Sequence, residues 1–249
     1  VTGEVVINGP EQLLGDLTIF NASGILSISS TTINSIEGKF HLEALTSLNS
    51  IRFDALESVN ELSMIKLNRL GEIVFGTEGV TDAKTVTITD TDLDDLSGLK
   101  LTTVEVLQID NNKRLTKFDS QLQNVTGQLI INTNGNDMEV TLNDLESVAE
   151  AQIRNVKSFK VPALATVEAS LRFDTNPNLE SFSAPNLTEV TDSLSFIGND
   201  ALVNVSCPEL IKISGDLTVI NNTEITAIDG FPKLETVLGG IDLGGNFES

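Results

Sequence analysis

The apolar positions of the chain repeat in two short phrases that alternate along its length. The first is Leu-x-x-Val or Leu-x-x-Ile: Leu56/Val59, Leu101/Val104, Leu122/Val125, Leu145/Val148, Leu164/Val167, Leu187/Val190, Leu210/Ile213 and Leu234/Val237. The second reads Leu-x-apolar-x-x-Asn, from Leu107 to Asn112, Leu129 to Asn134, Leu171 to Asn176, Leu194 to Asn199 and Leu217 to Asn222. A last copy opens on Ile and runs from Ile241 to Asn246. Within each phrase apolar and polar residues alternate with period two, as in a strand with one face in a core. Pro162, Pro185, Pro208 and Pro232 recur at 23, 23 and 24 residues, each two positions before the Leu of the first phrase.

A fixed period of this size predicts stacked repeats that bury a continuous core between them. The 249 residues divide into roughly ten units of about 23 residues. Residues 80–134 and 151–176 run short or irregular, and residues 24–48 look the least regular, so bent rungs or insertions are expected there. No Pro/Gly/Ser-rich linker divides the chain, and residues 1–249 are predicted to form a single domain. Val1 to Pro10 and Gly239 to Ser249 are the expected end rungs.

The recurring Asn has a structural reading. A solenoid that turns a corner leaves backbone groups without ladder partners, and buried orphans are costly. Inward amides at Asn112, Asn134, Asn176, Asn199, Asn222 and Asn246 are predicted to satisfy them and to bond from rung to rung. Phe159 and Phe182, three residues before a repeat proline, and Phe173 and Phe196, inside the Asn phrase, are predicted core.

Composition narrows the function. A net charge of −21, from 36 acidic and 15 basic residues, argues against nucleic acid and anionic membrane surfaces as partners. Self-repulsion keeps such a long, thin chain dispersed. The single Cys207 precludes an intrachain disulfide or a multi-Cys zinc site and reads as a small buried apolar residue. No apolar run approaches the ~18 residues a membrane helix needs. The chain opens at Val1 without Met or a signal-like segment, and is read as a trimmed or mature fragment.

The segments Ser181-Phe-Ser-Ala-Pro-Asn-Leu-Thr-Glu-Val190, Ile228-Asp-Gly-Phe-Pro-Lys-Leu-Glu-Thr-Val237, Gly245-Asn-Phe-Glu-Ser249 and Thr85-Val-Thr-Ile-Thr-Asp-Thr-Asp-Leu93 resemble the fungal GPI-anchored cell-wall organisation proteins. The resemblance implies a receptor L-domain-like, leucine-rich solenoid, a secretory signal before Val1, and a Ser/Thr-rich stretch with a GPI-attachment signal after Ser249. It also implies an extracellular place, at the wall and the outer face of the plasma membrane. Pattern and resemblance together predict an all-β, right-handed parallel β-solenoid. The expected role is that of a non-catalytic, secreted, glycosylated scaffold or binding protein in wall organisation and integrity. Its partners are wall proteins or wall polysaccharide, and the GPI lipid enters by resemblance alone.

Five sequons support glycosylation: Asn21, Asn124, Asn186, Asn204 and Asn221. By alternation Asn186, Asn204 and Asn221 point outward, Asn21 matches Asn221 in its own rung, and no ladder Asn carries a sequon.

Candidate chemistry is sparse. The acidic run Asp90-Thr-Asp92-Leu-Asp94-Asp95 lacks the Gly and Glu of an EF-hand, with Asp95 and Leu101 in their places, and reads as a solvated turn. Gly239-Gly240-Ile-Asp242 lacks the repeated unit of a calcium β-roll. Neither a cofactor nor a metal site is predicted. The alternative is a carbohydrate-active β-helix enzyme or glycan-binding protein acting on wall polysaccharide. Glycoside hydrolysis needs two carboxylates facing one cleft. Pectin-degrading β-helix enzymes use Asp pairs with a His-Gly step, whereas the one His here, His41, precedes Leu42 and reads as a strand position. No catalytic residue is assigned. A lectin would stack sugars on exposed Trp or Tyr, and the chain has neither.

Overall fold

The structure is a computed structural model and describes residues 2–247; Val1, Glu248 and Ser249, at the tips of the expected end rungs, lie outside the described residues. It is an all-β solenoid of parallel strands with no helix among those residues. One sheet of 16 strands runs along the stack. Its main path takes one strand from each of eleven turns: Gln12–Leu13, Ser35–Glu43, Ser58–Leu67, Asp82–Thr91, Thr103–Asp110, Asn124–Asn132, Ser147–Ile153, Thr166–Val167, Glu189–Val190, Lys212–Ile213 and Thr236–Val237. Five further strands continue the same turns: Leu17–Phe20, Leu171–Asp174, Leu194–Ile197, Leu217–Asn222 and Ile241–Gly245. A second wall consists of Gly3–Val6, Ile25–Ser30, Ser50–Phe53 and Glu72–Val74, and a third sheet of Lys117–Asp119, Met138–Thr141, Val156–Lys160, Ser181–Ser183 and Asn204–Ser206.

Register follows the two phrases. Leu62 pairs with Phe40 and Val86, Leu129 with Leu107 and Ala151, and Leu194 with Leu171 and Leu217, so each apolar phrase stacks on its neighbours and is buried. The Leu-x-x-Val step lies across a bulge from the Asn phrase, as where Val125 and Gln128 break register. At that kink Gly127 runs so close to the next rung that a Cβ would meet the Glu105 carbonyl oxygen at 2.6 Å.

Each repeat proline opens a tight corner. The Leu two residues on donates its N–H to the residue before the proline, Leu164 to Val161 at 3.1 Å, Leu187 to Ala184 at 3.2 Å, Leu210 to Cys207 at 3.1 Å and Leu234 to Phe231 at 3.1 Å. Proline at the second position of such a turn is preset in φ and loses no ladder bond. The opposite corner is made differently. Asn21, Ala44, Lys66, Asp90, Asn111, Thr133, Asn155, Thr175 and Asn221 all have φ between 48° and 59°, and Gly198 has 67°. These residues form a left-handed column, one in each of the first ten turns, directly before the ladder column.

Two expectations about regularity separate. Residues 24–48 are well-formed rungs, because Ile25–Ser30 and Ser35–Glu43 pair in parallel on both sides; the expectation of a bent rung there is corrected. Irregularity does fall within 80–134. The turn after Thr91 contributes no strand to the second wall, which separates the four-stranded sheet from the five-stranded one. Leu93, Leu96 and Leu99 of that turn remain buried, so the core continues behind the gap.

Candidate functional site

The Asn column is a hydrogen-bond ladder inside the stack. Asn222 Oδ1 accepts the backbone N–H of Asn199 at 2.9 Å and its Nδ2 at 3.0 Å, while Asn222 Nδ2 donates to the Phe196 carbonyl at 2.9 Å. Asn199 repeats this with Asn176 at 3.0 and 2.8 Å and donates to Phe173 O at 2.9 Å. Asn134 treats Asn112 the same way, and Asn112 closes the run on Thr91. All five amides are buried. Val156 occupies the position between Asn134 and Asn176, so the column falls into two runs, the second ending where Val156 N–H donates to Asn176 Oδ1 at 3.0 Å. Asn246 is a correction. It is exposed on the last described turn and donates to Thr223 O at 2.9 Å, outside the buried ladder.

Asn21, Asn186, Asn204 and Asn221 are exposed, and Asn21 and Asn221 share the left-handed corner. Asn124 is half-buried and its Oδ1 accepts a bond from Ser147 Oγ at 2.8 Å. Cys207 is fully buried, and burial pushes its thiol up to about 12.

The gap in the second wall forms an open groove of about 540 Å³ lined by Asp94, Asp95, Lys100, Lys117, Asp119 and Gln121, with Phe118 at its base. Its charges are already partnered. Arg114 donates to Asp92 at 3.2 Å and Asp94 at 2.6 Å, Asp95 accepts from the Ser97 hydroxyl at 2.5 Å, and Lys117 lies 3.3 Å from Asp119. The carboxyl that is raised, Asp110, is not among the groove residues. It sits on the long sheet, where burial first and the charge of Asp90 second disfavour its ionised form.

Sequence reading missed one juxtaposition. His41 Nδ1 lies 3.0 Å from Ser63 Oγ, and His41 Nε2 lies 3.5 Å from Glu43 Oε2. The signal was present, since Ser63 follows His41 by 22 residues, one rung. The trio does not make an acyl-transfer site. Ser63 is 4% exposed, and its strand is paired on both sides at Ser63, with His41 and with Thr87. That pairing consumes the backbone N–H groups an oxyanion hole would use.

What remains is the outer face of the long sheet. Two rows of side chains cross it in register. One runs Thr18, His41, Ser63, Thr87, Gln108, Ile130, Gln152, Arg172, Ser195 and Thr218. The other holds Phe20, Glu43, Ile65, Thr89, Asp110, Asn132, Asp174, Ile197 and Ile220, with Arg154 bonded to Asp174 at 3.3 Å in the remaining turn. Most are half-buried by their neighbours, which makes the face an ordered pavement. The first row continues to Asp242, and beside the two rows a third holds Lys39, Glu61, Thr85, Val106, Gln128 and Glu150, so the acids of the face, Glu43, Glu61, Asp110, Glu150, Asp174 and Asp242, outnumber Lys39, Arg154 and Arg172.

No family model matches the chain, and no solved structure matches it. Among characterised proteins it is 36% identical over 174 residues to protein ecm33 of Aspergillus fumigatus, covering 70% of this chain and 44% of the relative. It is 32% identical over 158 residues to the cell surface GPI-anchored protein ECM33 of Candida albicans, covering 63% and 38%. It is 28% identical over 169 residues to the cell wall protein ecm33 of Schizosaccharomyces pombe, covering 68% and 40%. The matches thus span less than half the length of these relatives. The chain belongs to the fungal GPI-anchored cell-wall protein family, whose place is outside the cell, at the wall and the outer face of the plasma membrane.

Proposed function

We propose that this domain is a non-catalytic, glycosylated scaffold of the fungal wall, a rigid rod that presents its long sheet as a binding face. The observation that carries the reading is the separation of the parts an enzyme would need to combine. Groove carboxylates have cationic or hydroxyl partners, the raised carboxyl lies on another wall, and the one Ser–His pair is shielded within a paired sheet. An acid and a base for glycoside cleavage must share one cleft.

Four exposed sequons support a glycosylated rod; Asn124 is half-buried with its Oδ1 bonded to Ser147, and Asn186 donates its Nδ2 to the Pro162 carbonyl at 3.1 Å. The test incubates the secreted domain with β-glucan, chitin and mannan fractions and scores soluble sugar released over hours. No release above buffer is the expected result. Release that disappears in an Asp95→Asn/Asp119→Asn variant would overturn the scaffold reading. Peptide mapping before and after glycosidase treatment reads occupancy at the five Asn.

A further inference from the structure

We propose that the groove at the break in the second wall takes up one extended peptide segment of net positive charge, which adds as a strand to the open edge of the third sheet at Lys117–Asp119. The inference goes beyond the scaffold reading and does not rest on it, since it concerns a different wall.

Backbone chemistry selects a polypeptide. Lys117–Asp119 pairs in parallel with Met138–Thr141. On that side Glu139 N–H donates to Thr116 O at 2.9 Å and Ser120 N–H to Thr141 O at 3.1 Å. A strand bonds each parallel neighbour through alternate residues, here 116, 118 and 120, so Lys117 and Asp119 turn their N–H and C=O groups toward the groove. Among the described residues no backbone bond joins residues 92–100 to Lys117 or Asp119. That turn is tied to the rung before it instead. Val80 N–H donates to Gly98 O at 2.9 Å, Lys100 N–H to Val80 O at 2.8 Å, and Lys100 Nζ to Thr77 O at 2.6 Å. The other end of the third sheet has no such opening. There Cys207 N–H donates to Gly230 O at 2.8 Å, and Gly230 runs so close to Val205 O that a Cβ would not fit. An uncovered edge is a template for a further strand, held by main-chain bonds.

Shape and charge narrow the occupant. Glu72–Val74 and Lys117–Asp119 stand two turns apart, about 10 Å at ~4.8 Å per rung. That spacing admits a single strand and excludes the sheet edge of a second copy, which would bring its neighbouring rungs with it. Leu96, Leu99 and Phe118 form the floor, so an added strand would set an apolar side chain inward between two that face solvent. Along the groove and the two strands that border it, Glu72, Asp94, Asp95, Asp119 and Glu139 outnumber Lys100 and Lys117. Arg114, shared by Asp92 and Asp94, leaves the balance acidic. The chain's net charge of −21 acts in the same direction and draws a cationic segment in.

The test titrates the isotope-labelled domain with three seven-residue peptides: alternating Lys and Val, alternating Glu and Val, and the Lys/Val peptide with its backbone amides N-methylated. The Lys/Val peptide should bind and slow hydrogen exchange at the Lys117 and Asp119 amides, and the other two should bind about tenfold more weakly. Asp119→Pro removes an edge N–H without touching a bond to Met138–Thr141 and should weaken the Lys/Val peptide by about the same factor. Thermal unfolding checks that the variant is folded; if it is not, the N-methylated peptide decides. The inference is overturned if the Lys/Val peptide does not bind, or if the N-methylated or Glu/Val peptide binds as tightly. It is equally overturned if a folded Asp119→Pro binds like the wild type, if protection falls on another edge, or if a chitin or β-glucan oligosaccharide displaces the peptide.

Discussion

At the residue scale the buried amides carry the sharpest stability expectations. Asn199 Oδ1 accepts two bonds from Asn176, and Asn199 Nδ2 donates to Phe173 O and to Asn222 Oδ1. Asn199→Ala strands several buried groups at once and should cost about 2–4 kcal/mol in urea unfolding, given ~1–3 kcal/mol for each orphaned polar group. Asn246→Ala, at an exposed position, should fall within about 0.5 kcal/mol of the wild type. Cys207 gives a pH signature. Its thiol titrates near 12 in the folded chain against an ordinary value of 9.0, so between these pH values the unfolded state alone loses the proton. Stability from this group is complete below 9 and declines above it, by about 1.4 kcal/mol per pH unit. The decline should be smaller in Cys207→Ala, measured as the difference in unfolding free energy between the two proteins at pH 8 and 10. The ladder positions were legible because their spacing repeats. Val156 within the column and the exposure of Asn246 were less so, since both depend on which rung lies next door.

At the element scale the two corners of each turn differ in what they ask of sequence. The proline corner needs a fixed φ and a Leu anchor, and it announces itself as Pro-x-Leu every 23 or 24 residues. The opposite corner asks only for a left-handed backbone, and Asn, Ala, Lys, Asp, Thr and Gly all occupy it. That variety hid the column, because packing on both neighbouring rungs holds the backbone there whatever the side chain. A β-branched residue at positive φ is the costliest of these choices. Thr175, at φ 58°, is exposed, so Thr175→Gly should raise stability by about 1 kcal/mol and shift the urea midpoint upward without changing the slope. Between the corners the strands pack aromatic columns, with Phe173 and Phe196 stacked at 5.1 Å and 4°. Phe196→Ala should therefore cost about 3–5 kcal/mol, the toll of a large buried cavity.

At the scale of the whole molecule, stacking and charge pull against each other. The strand pattern and the period made the solenoid legible before any contact was known, but not the break in the second wall, where apolar Leu93, Leu96 and Leu99 keep the core phrase while the backbone leaves the sheet. Nor did it reveal which side chains line up on the outer face of the long sheet, because that depends on registering all the turns at once. Among the described residues ten Lys or Arg contacts to carboxylates lie on the surface, seven of them between two exposed groups, and such pairs contribute little each. Pairing leaves the whole net charge of −21 in place, so repulsion should weaken the fold at low ionic strength and salt should restore it. The rungs least able to withstand that repulsion are the terminal ones, which expose Leu14 and Phe20 at one end and Leu238, Ile241 and Leu243 at the other. Among the described residues each pairs with a neighbour on one side only, whereas central rungs are held from both. Amide hydrogen exchange should thus be slowest in Asp82–Thr91, Thr103–Asp110 and Asn124–Asn132 and fastest in Gly3–Val6 and Ile241–Gly245, with added salt protecting the ends more than the centre. Equal protection in every rung would mean that residues 1–249 open as one cooperative unit, and two separate plateaus would mean that the gap after Thr91 divides the rod into two folding units.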